Sequence, residues 1–216
     1  MNPKSFLACC SILMVSLVLG TPLMAQTKAI YTNPDFESIA GHERILAIIP
    51  FDASIHLRPR EMKNITPDQL KEMQLKEGKD LQSALESYFL KKRLNVSLQS
   101  TEQTNAILIK NHIYPDSLDA YTTSDLCRIL NVDGIISGSL TSDKPMSEGA
   151  SIALGALVGF YGATNSGNCT ISVNDGKTGA LVWKYEKALS RGLGSNINSL
   201  INTIMRKASR KFPYEE

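Results

Sequence analysis

Three histidines, His42, His56 and His112, and two mid-chain cysteines, Cys127 and Cys169, are the side chains best equipped for metal or nucleophilic chemistry. A metal centre needs ligands that converge, as in a helical H-E-x-x-H motif. The three histidines are far apart and none falls in such a motif, so no metal ligand is expected among them. A serine nucleophile on a strand-to-helix elbow would read G-x-S-x-G, which the chain lacks. Cys127 sits in a helical pattern beside Leu126 and Ile129, the setting of a buried structural thiol rather than a thiolate. In "RGLGSNI", Gly192 and Gly194 lie between a strand and a helix, as a phosphate-cradling loop would. The third glycine position holds Ile197, and the preceding strand belongs to a hairpin rather than a βαβ crossover, so a helix connection is the better reading. Asp125, Asp133, Asp143 and Asp175 fall on different elements. The expectation is a protein without catalytic residues and without a cofactor.

The elements that carry these residues follow from periodicity. "RILAIIPFD" (44–52) is a continuous apolar run, the mark of a strand buried on both faces. Thr66-Pro67-Asp68-Gln69 is a capping box with proline at the first helical position. Leu70, Met73, Leu81, Leu85 and Tyr88 then recur at helical spacing, which predicts a long helix to about Arg93 with Gly78 as its weak point. "LNVSLQ" (94–99) alternates like a half-buried strand, "STEQTNAILIKNH" follows as a cap and short helix, and "TTSDLCRILNV" (122–132) is a further capped helix. Asp133-Gly134 opens a third strand, "DGIISGSLTSD". "NCTISVNDGKTGALVWKYEKA" predicts a hairpin, with Cys169, Ile171 and Val173 inward on one arm and Leu181, Trp183 and Tyr185 on the other. Ile197, Leu200, Ile201, Ile204, Met205, Ala208 and Phe212 mark a closing amphipathic helix ended by Pro213. The expected fold is α/β: a single mixed β-sheet of about five strands with helices packed on it, spanning 44–214 after a polar lead-in at 26–43.

The first residues, "MNPKSFLACCSILMVSLVLGTPLMAQ", read as a secretory signal peptide (1–25) cut after Ala25. A lipid anchor on Cys9 is not expected, because too few residues precede it and the apolar run lies after it. Lys+Arg 23 against Asp+Glu 21 gives a formal net charge of +2. The charges are spread along the chain, which excludes the clustered footprint of a nucleic-acid binder. No segment after the leader reaches the roughly 20 apolar residues of a membrane helix. Cys127 and Cys169 are the two cysteines left after the leader, and an oxidising compartment allows a disulfide between them, although each lies in an apolar pattern where a free buried thiol is ordinary.

One stretch stands apart. "ASIALGALVGFYGA" (150–163), inside a glycine-rich apolar insert at 150–167, has no charged side chain. Each of its large apolar groups contributes about 1.5–3 kcal/mol when buried, so something covers it: the protein's own sheet, another protein chain, or a membrane surface in peripheral contact. Read as a helix, Ser151, Gly155 and Gly159 form a small-residue stripe, beside an apolar surface from Leu154, Leu157, Val158 and Tyr161, with Phe160 adjoining. These eight residues are the candidate protein interface, Phe160 and Tyr161 its anchors. A lipid-facing barrel hairpin would need polar residues at alternate positions, and Ala153, Gly155, Leu157, Gly159 and Tyr161 supply none, which counts against a pore.

Taken together, "ILAIIPFD", the long helix, "LNVSLQS", "LCRILNVDGIISGSL" and "VNDGKTGALVWKYE" resemble a superfamily of bacterial envelope proteins. It includes the amino-terminal domain of TolB, the curli-secretion lipoproteins and the lipoprotein activators of penicillin-binding proteins. The matching positions are Pro50-Phe51, Val132 to Gly138, Asp175, Thr178-Gly179 and Trp183, and these specify a fold rather than a chemistry. The resemblance implies a TolB-N-terminal-like sheet and a non-enzymatic adaptor or assembly factor of the Gram-negative envelope. Such a protein is exported to the periplasm or the outer membrane and binds an envelope protein or itself. The alternatives left open are a subunit of an outer-membrane secretion channel, and an enzyme or small-molecule binder with an unrecognised site.

Overall fold

The computed structural model describes residues 28–57, 59–63, 65–143, 167–189 and 212–214. The strands are β1 (Lys28–Thr32), β2 (Ile45–Ile48), β3 (Asp52–Ile55), β4 (Ser97–Gln99), β5 (Gly134–Ser142), β6 (Gly167–Asp175) and β7 (Leu181–Leu189). The helices are α1 (Phe36–Ala40), α2 (Pro59–Met62), α3 (Pro67–Phe89), α4 (Thr101–Lys110) and α5 (Thr123–Leu130), with a 3₁₀ turn at Pro115–Ala120. The sheet runs β1-β7-β6-β5-β2-β4, with β3 also on β5. β2, β3, β4 and β5 pair in parallel, while β5, β6, β7 and β1 pair antiparallel. The fold is therefore α/β, one mixed seven-stranded sheet with helices packed on it.

Two strands exceed the five expected, for different reasons. The lead-in contributes β1, whose residues Lys28 to Thr32 pair with Lys187 to Trp183 along the outer edge of β7. Its apolar residues Ala29, Ile30 and Tyr31 make a run too short to mark a strand inside a polar lead-in, and the pairing is supplied by a neighbour remote in sequence. The run 44–52 is not one strand. Leu46 to Ile48 pair with Gly134 to Ile136, the chain breaks at Pro50 and Phe51, and Asp52 to Ile55 resume against Ser139 to Ser142. Proline has no N–H for a ladder, so a break there costs the sheet nothing.

Phe51 fills the break. Its N–H donates to the Gly78 carbonyl of α3 at 3.2 Å, and a Cβ on Gly78 would fall 2.2 Å from the Phe51 carbonyl oxygen. On the other side the Phe51 ring lies over Gly138, where a Cβ would meet Cε1 at 2.1 Å. Gly78, which lowers helix propensity, is thus the place where α3 touches the sheet backbone. α3 begins at the expected capping box: Thr66 Oγ1 accepts from the Gln69 N–H at 3.2 Å and Gln69 Oε1 from the Thr66 N–H at 2.9 Å.

Side chains alternate between two cores, as the pleat requires. Leu46, Ile48, Ile136, Cys169, Ile171, Val173, Trp183 and Tyr185 pack on one face with Leu81, Leu85 and Phe89 of α3 and with Phe212 and Tyr214. Ala47, Ile49 and Ile135 pack on the other with Leu108 of α4 and Leu126, Cys127 and Leu130 of α5. Buried amides tie the layers: Gln82 Nε2 donates to the Ile48 carbonyl at 2.7 Å, and Gln99 Nε2 to the Leu130 carbonyl at 2.9 Å. In the hairpin, Val173 pairs with Trp183 but Asn174 with Leu181, a bulge that leaves Val182 extra. Val182 is therefore fully buried while Leu181, expected inward, is half-buried.

Cys127 and Cys169 are free and buried, one in each core, on opposite faces of the sheet. That separation rules out the disulfide that their number allowed. Both thiols should resist alkylation in the native protein and both should react once it is unfolded; rapid native labelling of either would contradict this packing. Replacing Gly78 with alanine should destabilise the fold by about 1–3 kcal/mol, read as a lowered denaturation midpoint, because the new methyl meets backbone and not a yielding side chain.

Candidate functional site

The best-formed polar cluster lies at one end of the sheet, where β5 begins and β6 ends. Gly134 pairs with Asp175 there, which brings Asp133 and Asp175 side by side. Glu43 precedes β2 in the same layer, Cys127 reaches in from α5, and Tyr214 arrives from the chain's last described residues. An adjoining cleft of about 640 Å3 is lined by Glu43, Cys127, Asp133 and Asp175 together with His42, Arg128 and Lys177.

Each acid has a different task. Asp133 Oδ2 accepts the N–H groups of Arg44 at 2.7 Å and Ile45 at 2.9 Å, and so pins the start of β2. Its backbone completes the tie: the Asp133 N–H donates to Ile45 O, and Asp133 O accepts from Gly176. Asp175 Oδ2 accepts the Thr178 N–H at 2.7 Å and its hydroxyl at 2.5 Å, which closes the hairpin turn. Gly179, at φ +72°, supplies the left-handed residue that the turn requires. Glu43 is buried; its Oε2 accepts from the Tyr214 hydroxyl, and its Oε1 has no hydrogen-bond partner among the described residues.

The electrostatics favour neutral groups. Burial, followed by the like charges of Asp175 and Asp133, raises the Glu43 carboxyl above the usual glutamate range, while the hydrogen bond from Tyr214 opposes the rise. Burial pushes the Cys127 thiol up to about 12, with Asp175, Glu43 and Asp133 adding to it. Cys169 is pushed up to about 12 by burial. A thiol held protonated is a poor nucleophile and a poor metal ligand. Among the described residues, no group of three or more His, Cys, Asp or Glu side chains is arranged to hold a metal ion.

The histidines do not converge. His42 is exposed and donates from Nδ1 to the Ser38 carbonyl at 2.7 Å. His56 follows β3, its N–H bonded to Ser142 O. His112 is exposed after α4 with φ 58°, where it lets the Ile113 N–H turn back to Leu108 O. Asp125 caps α5 through Thr122. Sequence reasoning scattered Asp133 and Asp175 and missed Glu43 and Tyr214, because strand register, not spacing, joins them. The signal available was Asp133-Gly134 facing the "DGKTG" turn. The candidate interface residues Ser151, Leu154, Gly155, Leu157, Val158, Gly159, Phe160 and Tyr161 lie outside the described residues, as do the leader, the "RGLGSNI" connection and the closing helix up to Lys211.

No protein-family model matches the sequence, and no curated protein sequence matches it. Among solved structures the chain is similar to lipoprotein GNA1162 from Neisseria meningitidis, at 10% identity and TM-score 0.47 over 78% of this chain and 96% of that one. It is similar to PelC, solved as a dodecamer from Paraburkholderia phytofirmans, at 14% identity and TM-score 0.44 over 84% and 94%. It is also similar to the LpoB C-terminal domain from Salmonella enterica, at 12% identity and TM-score 0.34 over 69% and 84%. These likenesses concern the course of the chain.

Asp133→Ala should cost about 1–2 kcal/mol of stability, because two N–H groups at the start of β2 lose a charged acceptor. Asp133→Asn, which keeps one acceptor oxygen, should cost less. Equal midpoints for both variants and the parent in chemical denaturation would contradict the role assigned to this carboxylate.

Proposed function

We propose that this is an exported, non-enzymatic protein of the bacterial envelope that acts by binding protein, as an adaptor or assembly factor, through its uncharged segment 150–167. The observation that carries the reading is how β5 and β6 are joined. Their pairing is unbroken from Gly134↔Asp175 to Ser142↔Gly167, so the strand register is complete without the residues that link them. The apolar residues between the two strands in sequence are not needed to build that ladder, and apolar sequence of this length calls for a cover, for which a partner protein is the usual source. The polar cluster supports the same conclusion from the other side: Asp133 and Asp175 hold backbone amides, and both thiols are driven toward their unreactive form. Among the described residues no helix is long and apolar enough to cross a membrane.

Replacing Gly155 and Gly159 together with leucine tests the proposal, since bulk at a small-residue stripe blocks close approach of a second backbone. Self-association in analytical ultracentrifugation, or capture of a crosslinked envelope protein in intact cells, should fall at least tenfold while circular dichroism stays native. Native association in this variant removes the segment from the interface, and loss of folding assigns it to the core.

A further inference from the structure

The chain's last described residues are docked by several independent contacts. The Phe212 ring stacks on Phe89 with centroids 4.8 Å apart and meets Trp183 edge-on at 5.0 Å. Tyr214 meets Phe36 edge-on at 5.1 Å, its carbonyl accepts the Asn95 N–H at 2.9 Å, and its hydroxyl donates to Glu43 Oε2. Phe212 is 5% exposed and Tyr214 1%. Beneath this aromatic cover lies a carboxyl group, Glu43, only 2% exposed, whose second oxygen has no donor.

The groups around Glu43 come from every neighbouring element. Asp133 precedes β5, Asp175 ends β6, Cys127 belongs to α5, and Tyr214 is the cover itself. His42, Arg128 and Lys177 line the adjoining cleft, yet none of them forms an ion pair with Glu43 among the described residues. A carboxylate in this position would be dry, short of one donor, and beside two like charges, a combination that proteins avoid by keeping the group protonated or by letting water in.

We infer that Glu43 is a proton-operated latch on the chain's C-terminal residues: the protonated carboxyl holds Phe212–Tyr214 down, and loss of its proton to solvent releases them. The sign follows from the direction of the shift. Burial and the two aspartates raise the carboxyl in the folded state. Its contribution to docking is therefore fully present below the ordinary glutamate range, around pH 4.3, and is lost as pH rises through the folded value.

Trp183 is the chain's single tryptophan and Phe212 covers it, so its emission reports docking. As pH rises from below the ordinary glutamate range, about pH 4.3, the parent protein should show one reversible red shift with a midpoint above that range. Glu43→Gln should keep the docked emission throughout. Tyr214→Phe removes the one contact that favours the carboxylate, so its midpoint should move to higher pH. In carbon-13 NMR of glutamate-labelled protein, the carboxyl signal that is absent from Glu43→Gln should titrate above the ordinary glutamate range, with the midpoint of the emission change in the parent. Flat parent emission, an unchanged transition in Glu43→Gln, or NMR and emission midpoints that differ would each overturn the latch.

Discussion

Phe51 is wedged between two glycines, and most of the architecture depends on that contact. Its carbonyl sits where a Cβ on Gly78 would be, and its ring sits where a Cβ on Gly138 would be. The first contact lets α3 lie directly on the sheet. The second lets one strand, β5, take β2 along its first half and β3 along its second. Without the break at Pro50-Phe51, a single straight strand would have to follow the twist of β5 over its whole length. The bend relieves that mismatch, and the aromatic ring fills the gap it leaves.

Polarity in this protein is managed by distance from the cores. Along the sheet, buried amides such as Gln82 and Gln99 find carbonyl partners, so the interior carries few unmet groups. At the end of the sheet the side chains of Asp133 and Asp175 accept backbone N–H groups, which satisfies both the acids and the amides beside an apolar layer. Among the described residues two buried polar atoms stand outside this scheme, the Tyr185 hydroxyl and one carboxyl oxygen of Glu43. The aromatic residues packed beside Glu43 couple its titration to the position of Phe212 and Tyr214.

The two faces of the sheet differ in how they are closed. The face with Ala47, Ile49 and Ile135 is covered by α4, the 3₁₀ turn and α5, all short and all close in sequence. The opposite face needs α3 from before β4 and Phe212 and Tyr214 from the far end of the chain. Its core therefore forms last in chain order, with Trp183, Phe212 and Phe89 as its junction.

Signals confined to a few residues were legible in the sequence. The capping box at Thr66, the capped helix start at Thr122, the helical spacing of Leu81 and Leu85, the inward alternation of Cys169, Ile171 and Val173, and the "DGKTG" turn all act over less than two helical turns, so they hold in any fold. Their sum was enough for an α/β class. Tertiary structure alone decided what depends on register. The hydrogen bond between Glu43 and Tyr214 joins residues 171 positions apart, and that between Arg44 and Asp133 spans 89. β1 exists because β7 offers it an unpaired edge, and Cys127 and Cys169 stay apart because the pleat of β6 sends Cys169 into one core while α5, packed on the other face, carries Cys127 into the second. Local propensity cannot carry such information, because it resides in which strands become neighbours and in which register they lock.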